Sequence, residues 1–479
     1  MPDSNTSRFG FAGHLTGDTP RILTVRRPDD AQPRPDLGTI TEPARDVPVY
    51  AECQVLVVGG GPAGCAAAIA SARAGADTLL VERYGHLGGL STGGLVIWID
   101  RMTDWEGRQV ICGFACDVLD RLPRDAVSGA PQSAWGSKDE ALNAYWGQRL
   151  GSFRGTVTWS PLIDPEWLKL ESLRMAQDAG VRLLLHAWVA APIMEGGNVA
   201  GAVFESKEGR LAIRANVVVD ASGDGDVYAR AGARFDTDTD QTAFTHACMN
   251  TGWLWAGVDM ERWLAFRANE REKAAELRDL GRQELGELDF PYVSWRKDVA
   301  LFLGPRMTGY SPVNVDDLTA VEVESRKWLE AMLKFYRAHA PGFEDAWILE
   351  SAQQVGVRHS RRLNGLNAIQ RSAWEAGQVF DDEVGVSPSL SPTFPAVSVP
   401  YGSLVAADVD GILAPGRHVS CDASSHTFMR EIPQCWLTGQ AAGVGAAIAA
   451  RADVPPRSAD VRAIQRELLR QGAYIRAAS

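Results

Sequence analysis

The sequence predicts an α/β fold: a parallel sheet with helices on its faces, interrupted by an inserted α+β unit. Two observations carry this. Three separated stretches, near residues 54–82, 217–233 and 409–450, each run from a short apolar strand through a glycine turn into a helix. Between the second and third, residues 236–400 change texture, with Trp253, Trp255, Trp263, Trp295, Trp328 and Trp347 set among long charged helices. The expected organisation is an N-terminal arm over 1–45 and a discontinuous sheet domain over 46–235 and 401–455. A roof domain over 236–400 and a C-terminal helix over 456–479 complete it.

Composition sets limits. With 479 residues, 45% of them hydrophobic and 23% charged, the chain is an ordinary water-soluble one. A net charge of −12 argues against nucleic acid and against an anionic membrane, since both need a basic patch. No apolar run reaches the length of a membrane span. The first 45 residues lack the apolar core of a signal peptide, and Arg26-Arg27 is followed by Pro and Asp. The seven cysteines (53, 65, 112, 116, 248, 421, 435) are scattered. Cys112 and Cys116 fall one helical turn apart, but no second pair completes a zinc site, so no metal is expected. Buried free thiols in a reducing cytoplasm are the expectation.

In chain order, residues 1–45 are rich in Pro, Arg, Asp and Thr without a sustained period. They read as an arm that is disordered or lies across a neighbouring surface, with clasping of a homodimer as the alternative. Val55–Val58 is then an unbroken apolar strand, Cys65–Ala74 an Ala-rich helix, Gly75 its stop, and Thr78–Val81 a second strand ending in Glu82. Between strand and helix stands Gly59-x-Gly61-x-x-Gly64. Gly59 permits the tight turn, Gly61 lets backbone approach a pyrophosphate, and Gly64 lets helix and strand pack closely. With Pro62 and Ala63 these residues form the expected cradle at a helix N-terminus, whose free N–H groups and dipole favour an anion. Glu82, about 20 residues on, suits the hydroxyls of a ribose and disfavours a 2′-phosphate. The pattern predicts a bound adenine dinucleotide.

The following loop, Arg83 to Gly94, carries Gly88, Gly89, Leu90 and Ser91. Such small residues suit backbone lying flat against the same ligand. His86 within it reads as structural. Residues 108–150 read as a helix and a polar excursion. Pro165–Ala179 reads as a helix with Trp167, Leu170, Leu173 and Met175 on its apolar side and Gly180 ending it. Strands are expected over 181–189, ending at Val189 on the ligand side, and over 199–204 and 211–213, the last two as a hairpin around Lys207–Arg210. Val217–Asp220, followed by Ala221, Ser222 and Gly223, returns the chain to the first sheet.

In the roof, helices are expected over 258–280 and 319–338, the second with a capping box at Thr319-x-x-Glu322 and Leu329, Met332, Leu333 and Tyr336 on its apolar side. Its tryptophans read mostly as core, with one or two lining a substrate pocket. The last block is a strand ending at Gly416 and, after Arg417 to Arg430, an Ala/Gly helix with Pro433 in its first turn.

These blocks resemble the glutathione-reductase-like flavoproteins, and most closely the FAD-dependent oxidoreductase family related to fumarate reductase flavoprotein subunits. The resemblance rests on the loop Glu82-Arg-Tyr-Gly-x-Leu-Gly-Gly-x-Ser, on Asp220-Ala-Ser-Gly-Asp-Gly-Asp226, and on Asp317-Leu-Thr, Pro341-Gly-Phe-Glu344 and Gly356-Val-Arg-His-Ser-Arg-Arg362. It continues in Gly416-Arg417, Arg430-x-x-Pro433 and Thr438-Gly-Gln-Ala-Ala-Gly443. It covers residues 50–450 and implies a Rossmann-like FAD-binding domain. It adds Gly416, Arg417, Ile432 and Gln434 to the expected cofactor contacts. Two departures stand near the flavin's expected reactive face: His359 where the family carries an acid, and Cys421-Asp-Ala-Ser-Ser-His426-Thr-Phe.

The implied function is FAD-dependent two-electron oxidation or reduction of a small organic metabolite by hydride transfer at flavin N5. A monooxygenase using NAD(P)H and O2 is the first alternative, although no second GxGxxG follows a strand. A non-catalytic dinucleotide-binding protein on the same fold is the second. Candidate catalytic groups are Arg358 and Arg361, expected three apart on one face of a helix-like segment, and His426 and Arg430 before the Pro433 helix.

Overall fold

The computed structural model describes residues 24–28, 34–237, 248–286 and 288–476. Most of the expected arm (1–23 and 29–33), the stretch 238–247 of the expected roof and the tail 477–479 lie outside the described residues.

The central sheet has seven strands. Strand β1 (Val49–Val58) leads through helix α1 (Pro62–Arg73) to β2 (Thr78–Glu82). Helix α2 (Pro165–Asp178) precedes β3 (Arg182–Leu185), β4 (Trp188–Glu195), β5 (Asn198–Ser206) and β6 (Gly209–Asp220). The order is β3-β2-β1-β6-β5-β4, and the short β7 (Ile412–Leu413) pairs with β6. Pairing is parallel from β3 to β6 and for β7, and antiparallel through β5 and β4.

The apolar runs explain the layering. Val55 and Val57 of β1 enter one core, and Leu56 and Val58 enter another on the opposite face, as successive strand residues must. β6 repeats this with Val217 and Val219 against Val218. The first core also takes in α1 and the late helix α3 (Ile432–Ala452). Those two helices touch at glycines: a Cβ at Gly439 would fall 2.2 Å from Ala63 O, and one at Gly443 would fall 2.1 Å from Ala67 O.

The roof uses the same alternation. In its sheet, Trp253–Ala256 lies between Val299–Phe302 and the edge strand Trp347–Ser351. Leu254, Ala256, Val299 and Leu301 face the main core, while Trp253, Trp255, Ala300 and Phe302 face a second core with Trp263, Tyr336 and Phe343. One sheet therefore ties the roof to the rest of the molecule. A second sheet orders Thr24–Arg26, Arg306–Thr308, Met249–Asn250 and Gly356–Val357. The described part of the arm thus lies across the chain's own roof, held by parallel pairing to Arg306–Thr308 and by ion pairs Arg27–Asp317 (2.9 Å) and Arg34–Asp316 (2.8 Å).

Five local readings are corrected. Residues 211–213 and 217–220 are one strand, because β1 pairs with β6 from Ala212 through Asp220. The 181–189 run breaks at His186, whose φ is 59°. Helix 258–280 is two helices, Met260–Asn269 and Arg271–Leu285, parted where Glu270 leaves helical geometry (φ −119°, ψ 53°). The long roof helix begins earlier, at Val315. Asn314 caps it by accepting from Asp316 N and Asp317 N, while Thr319 Oγ1 donates back to Val315 O (2.7 Å) from inside the helix. On α2 the buried face is Leu168, Glu171, Ser172, Met175 and Ala176, and the large Trp167 and Leu170 are exposed. Met175, on the expected apolar side, is buried as expected.

Candidate functional site

The site begins at the turn after β1. Gly59 has φ 101°, and its N–H donates to Val81 O (2.8 Å). A Cβ at Gly64 would fall 1.7 Å from Gly59 O, so the helix closes on the turn only because that atom is missing. At Gly61, by contrast, an added Cβ would meet nothing within 4 Å, so the middle glycine faces open space. Gly61 is also the N-cap of α1 and offers no capping side chain, which leaves the first N–H groups of the helix directed outward. Glu82 braces the turn: Oε2 accepts from Gly60 N (2.5 Å) and Oε1 from Tyr84 N (2.8 Å). The next loop is stitched on by Gly88 N donating to Gly60 O (2.8 Å) and Ser91 Oγ donating to Gly88 O (2.7 Å).

The return turn after β6 is organised by the fully buried Asp220. Its Oδ1 accepts from Ser222 Oγ (2.6 Å), and its Oδ2 accepts from Val227 N (2.9 Å) and Tyr228 N (3.0 Å). Those bonds hold Ala221, Ser222 and Gly223 beside the first turn.

Between them opens a cleft of about 950 Å³, partly open to solvent. Its wall includes Gly59, Gly61, Pro62, Ala63, Glu82, Arg83, Gly89 and Leu90 from the first unit. Val189 closes one side, Ala221, Ser222 and Gly223 another, and Gly416, Arg417, Arg430 and Ile432 a third. Four expected cofactor residues do not reach the wall. Gly64 packs beneath it, Gly88 and Ser91 serve the loop's own bonds, and Gln434 donates from Nε2 to Ser387 Oγ (3.0 Å).

The cleft is charged at its edges. Arg417 Nη2 meets Asp224 Oδ1 at 2.9 Å, while Arg417 Nη1 is buried with no partner in the protein. Burial works against ionisation of Asp224, but Arg417, the Ser360 hydroxyl and Arg83 outweigh it and hold the carboxyl below its usual range. The Arg83 guanidinium stacks 4.7 Å from the Trp188 ring centroid. Helix α3 enters with Pro433 in its first turn and no side-chain cap, so a second set of free N–H groups stands beside Ile432. The open space before Gly61, the orphaned Arg417 nitrogen and two uncapped helix ends fit a long anionic dinucleotide.

The comparison with known families decides its identity. Residues 54–468 match the model of the FAD dependent oxidoreductase family. The chain belongs to that family. Its cofactor is FAD, and it is an oxidoreductase. Two digeranylgeranylglycerophospholipid reductases of Methanopyrus kandleri are 28% and 30% identical to it over 176 and 179 residues, which is 36% of this chain in each case. The matches span 38% and 40% of those relatives' own lengths. Among solved structures, a geranylgeranyl bacteriochlorophyll reductase-like protein of Thermoplasma acidophilum aligns with TM-score 0.42 and 14% identity, over 88% of this chain and 84% of that one.

Within this FAD-dependent oxidoreductase the four candidate catalytic residues part company. Arg430 lines the cleft, its Nη2 2.8 Å from Glu431 Oε1. Arg358 and Arg361 do not share a helix face: the segment is extended, because Gly356–Val357 pairs with Met249–Asn250. Arg361 is held by two residues of the cleft wall, donating to Asp224 O (2.8 Å) and lying 3.5 Å from Asp226 Oδ1. His426 sits in a short helix, Ala423–Met429, only 2% exposed and off the cleft wall. Its Nε2 lies 2.9 Å from Arg417 O and its ring stands edge-on to His359 at 4.6 Å. Burial, then the His359 charge, push it well below the ordinary histidine range. The carbonyl can only accept, so Nε2 carries the proton and the ring is neutral.

Several wall residues escaped the sequence reading. Trp188 is one position before Val189 and could have been found as its neighbour. Gln354, Val355 and Val357 reach the cleft from the roof, where no local pattern marks them. No roof tryptophan lines it. Among the described residues there is no cluster suited to a metal ion, and no helix is long and apolar enough to cross a membrane.

Proposed function

We propose that this flavoenzyme oxidises or reduces a small organic metabolite by hydride transfer between the substrate and flavin N5. The observation that carries the reading is the convergence of the Gly59–Gly64 turn, the Asp220-braced turn and the start of α3 on one cleft that the roof residues Gln354–Val357 also reach. In this reading the first turn and the N-terminus of α1 hold the pyrophosphate, Glu82 takes the ribose hydroxyls, and Arg417 Nη1 finds its missing acceptor on the cofactor. The N-terminus of α3 faces the pyrimidine edge of the flavin and steadies negative charge there; donors of this kind are worth about 3–4 kcal/mol in other enzymes. The flavin supplies the two-electron chemistry. The chain's own residues orient the substrate, and the roof shields it from water. The motifs support a place among glutathione-reductase-like flavoproteins, and seven free cysteines with an acidic surface support a cytoplasmic setting.

The test is anaerobic mixing of the yellow protein with a metabolite panel, followed by repetition with a substrate deuterated at the reacting carbon. Bleaching of the visible flavin band with a primary isotope effect is expected. NAD(P)H consumption coupled to insertion of oxygen into the substrate would overturn the reading in favour of a monooxygenase.

A further inference from the structure

We propose that Cys112 and Cys116 form a reversible disulfide, a thiol-oxidation site separate from the flavin cleft. The two stand at the start of the helix Phe114–Arg121, Cys112 just before its N-cap Gly113 and Cys116 in its first turn. They are the two cysteines of the seven that are only half-buried. Gln109 holds both sulfurs. Cys112 Sγ donates to its backbone carbonyl (3.5 Å), and its Nε2 donates to Cys116 Sγ (3.1 Å). The two thiols also hydrogen-bond to each other. A disulfide needs Cα atoms about 4.4–6.8 Å apart, a separation that one turn of helix provides.

Cys112 faces open space. It lines a second cavity, of about 230 Å³, together with Leu437, Gln440, Leu468 and Tyr474. That cavity and the cleft share no wall residue: α3 gives Ile432 and Cys435 to the cleft, and Leu437 and Gln440 to the cavity. Between the two cysteines, Gly113 is pressed against α3, where a Cβ would fall 2.4 Å from Gln440 Oε1. Phe114 N donates to the same oxygen (3.1 Å), so the turn that carries the pair is anchored.

The remaining cysteines are built differently. Cys53, Cys65 and Cys435 are buried and donate to backbone carbonyls, and burial pushes each thiol up to about 12. At Cys112 the hydrogen bond from the Cys116 thiol outweighs burial and lowers the pKa, while the same bond raises that of Cys116. Cys112 is therefore the attacking thiolate and Cys116 the resolving thiol.

The co-reactant is a low-molecular-weight disulfide, RS–SR. The Cys112 thiolate attacks one of its sulfurs, the S–S bond breaks, RS⁻ leaves, and a mixed disulfide forms on Cys112. Cys112 then carries no negative charge, so the main cause that held the proton on Cys116 is gone. Cys116 gives that proton to water and attacks the Cys112 sulfur, expelling the second RS⁻. Two protein thiols lose two electrons and two protons, and RS–SR becomes two RSH. Excess thiol reverses the sequence, so in a reducing compartment the disulfide is transient.

The test treats the FAD-loaded protein with bis(2-hydroxyethyl) disulfide, quenches in acid, and maps the cysteines by alkylation and mass spectrometry. The parent should lose two thiols, keep no adduct, and yield one linked peptide pair, Cys112 to Cys116, which dithiothreitol opens. Cys116→Ser should stop at the mixed disulfide and retain one hydroxyethylthio group on residue 112. Cys112→Ser should form no disulfide. In the folded parent, Cys112 should react roughly tenfold or more faster than any of the five buried cysteines. The visible flavin spectrum should stay the same throughout, because the pair lies off the cleft. Full alkylation of all seven cysteines after treatment would overturn the inference, as would a lasting adduct on Cys112 beside a free Cys116, or linkage of a different pair. None of these readouts uses turnover, so failure here leaves the hydride-transfer reading untouched.

Discussion

The sheet half and the roof are braced differently. In the sheet half, buried carboxylates fix the turns: Asp220 accepts from Ser222, Val227 and Tyr228, Glu82 accepts from Gly60 and Tyr84, and Asp224 meets Arg417. In the roof, among the described residues, the ring nitrogens of Trp253, Trp255 and Trp263 are buried without partners. An unpaired buried donor costs about 1–3 kcal/mol, yet an indole burying ~200 Å² recovers about 5 kcal/mol. The roof therefore stands on aromatic area rather than on polar satisfaction.

The largest test of that contrast is Trp263→Ala. Its ring meets Phe290 and Phe343 at 5.4 Å each and Tyr336 at 5.8 Å between centroids. Truncation should cost ~3–5 kcal/mol, measured by denaturant unfolding, while FAD stays bound at low denaturant. Simultaneous loss of flavin and roof at the first step would show that the two halves do not differ as described. Gly64→Ala probes the other half. With a Cβ 1.7 Å from Gly59 O, turn and helix must separate, at a cost of about 1–3 kcal/mol, and FAD should leak on gel filtration. A parent-like melting temperature with full FAD content would contradict this. Glu82→Gln is milder: an amide cannot accept from both Gly60 N and Tyr84 N as the carboxylate does. A roughly tenfold loss of FAD affinity by fluorescence titration is expected.

The same contrast explains what could be read beforehand. Gly59, Gly61, Glu82 and Val217–Gly223 are local signals: the turn, the helix start and the strand lie within one short stretch, so spacing alone fixes their geometry. The extended course of 356–362 was not legible, because it is set by pairing to Met249–Asn250, more than a hundred residues away in sequence. On α2, Trp167 and Leu170 share the period of an apolar side with Met175, and only the packing shows that the buried stripe runs through Leu168, Ser172, Met175 and Ala176.

His426 gives the finest test, because sequence and structure pull it in different directions. A histidine just before the α3 N-terminus suggests an acid–base group, whose loss slows reactions by 10²-fold or more. In the fold it is off the cleft wall, neutral, and bonded to Arg417 O. His426→Gln keeps a donor for that carbonyl but cannot titrate, and flavin reduction should slow by less than about tenfold. Stability against pH separates the readings further. The folded pKa of His426 is pushed below the unfolded value near 6.5. Above that pH neither state binds the proton; below it the unfolded chain does and the folded one does not. Stability should therefore be full above about pH 6.5 and fall as the solution is acidified, by ~1.4 kcal/mol per pH unit for each such histidine. His418, fully buried and likewise lowered by burial, adds a second share. In His426→Gln the acid slope should shrink by about one proton while the His418 share persists. An unchanged slope together with a 10²-fold slower flavin reduction would restore His426 to the catalytic machinery.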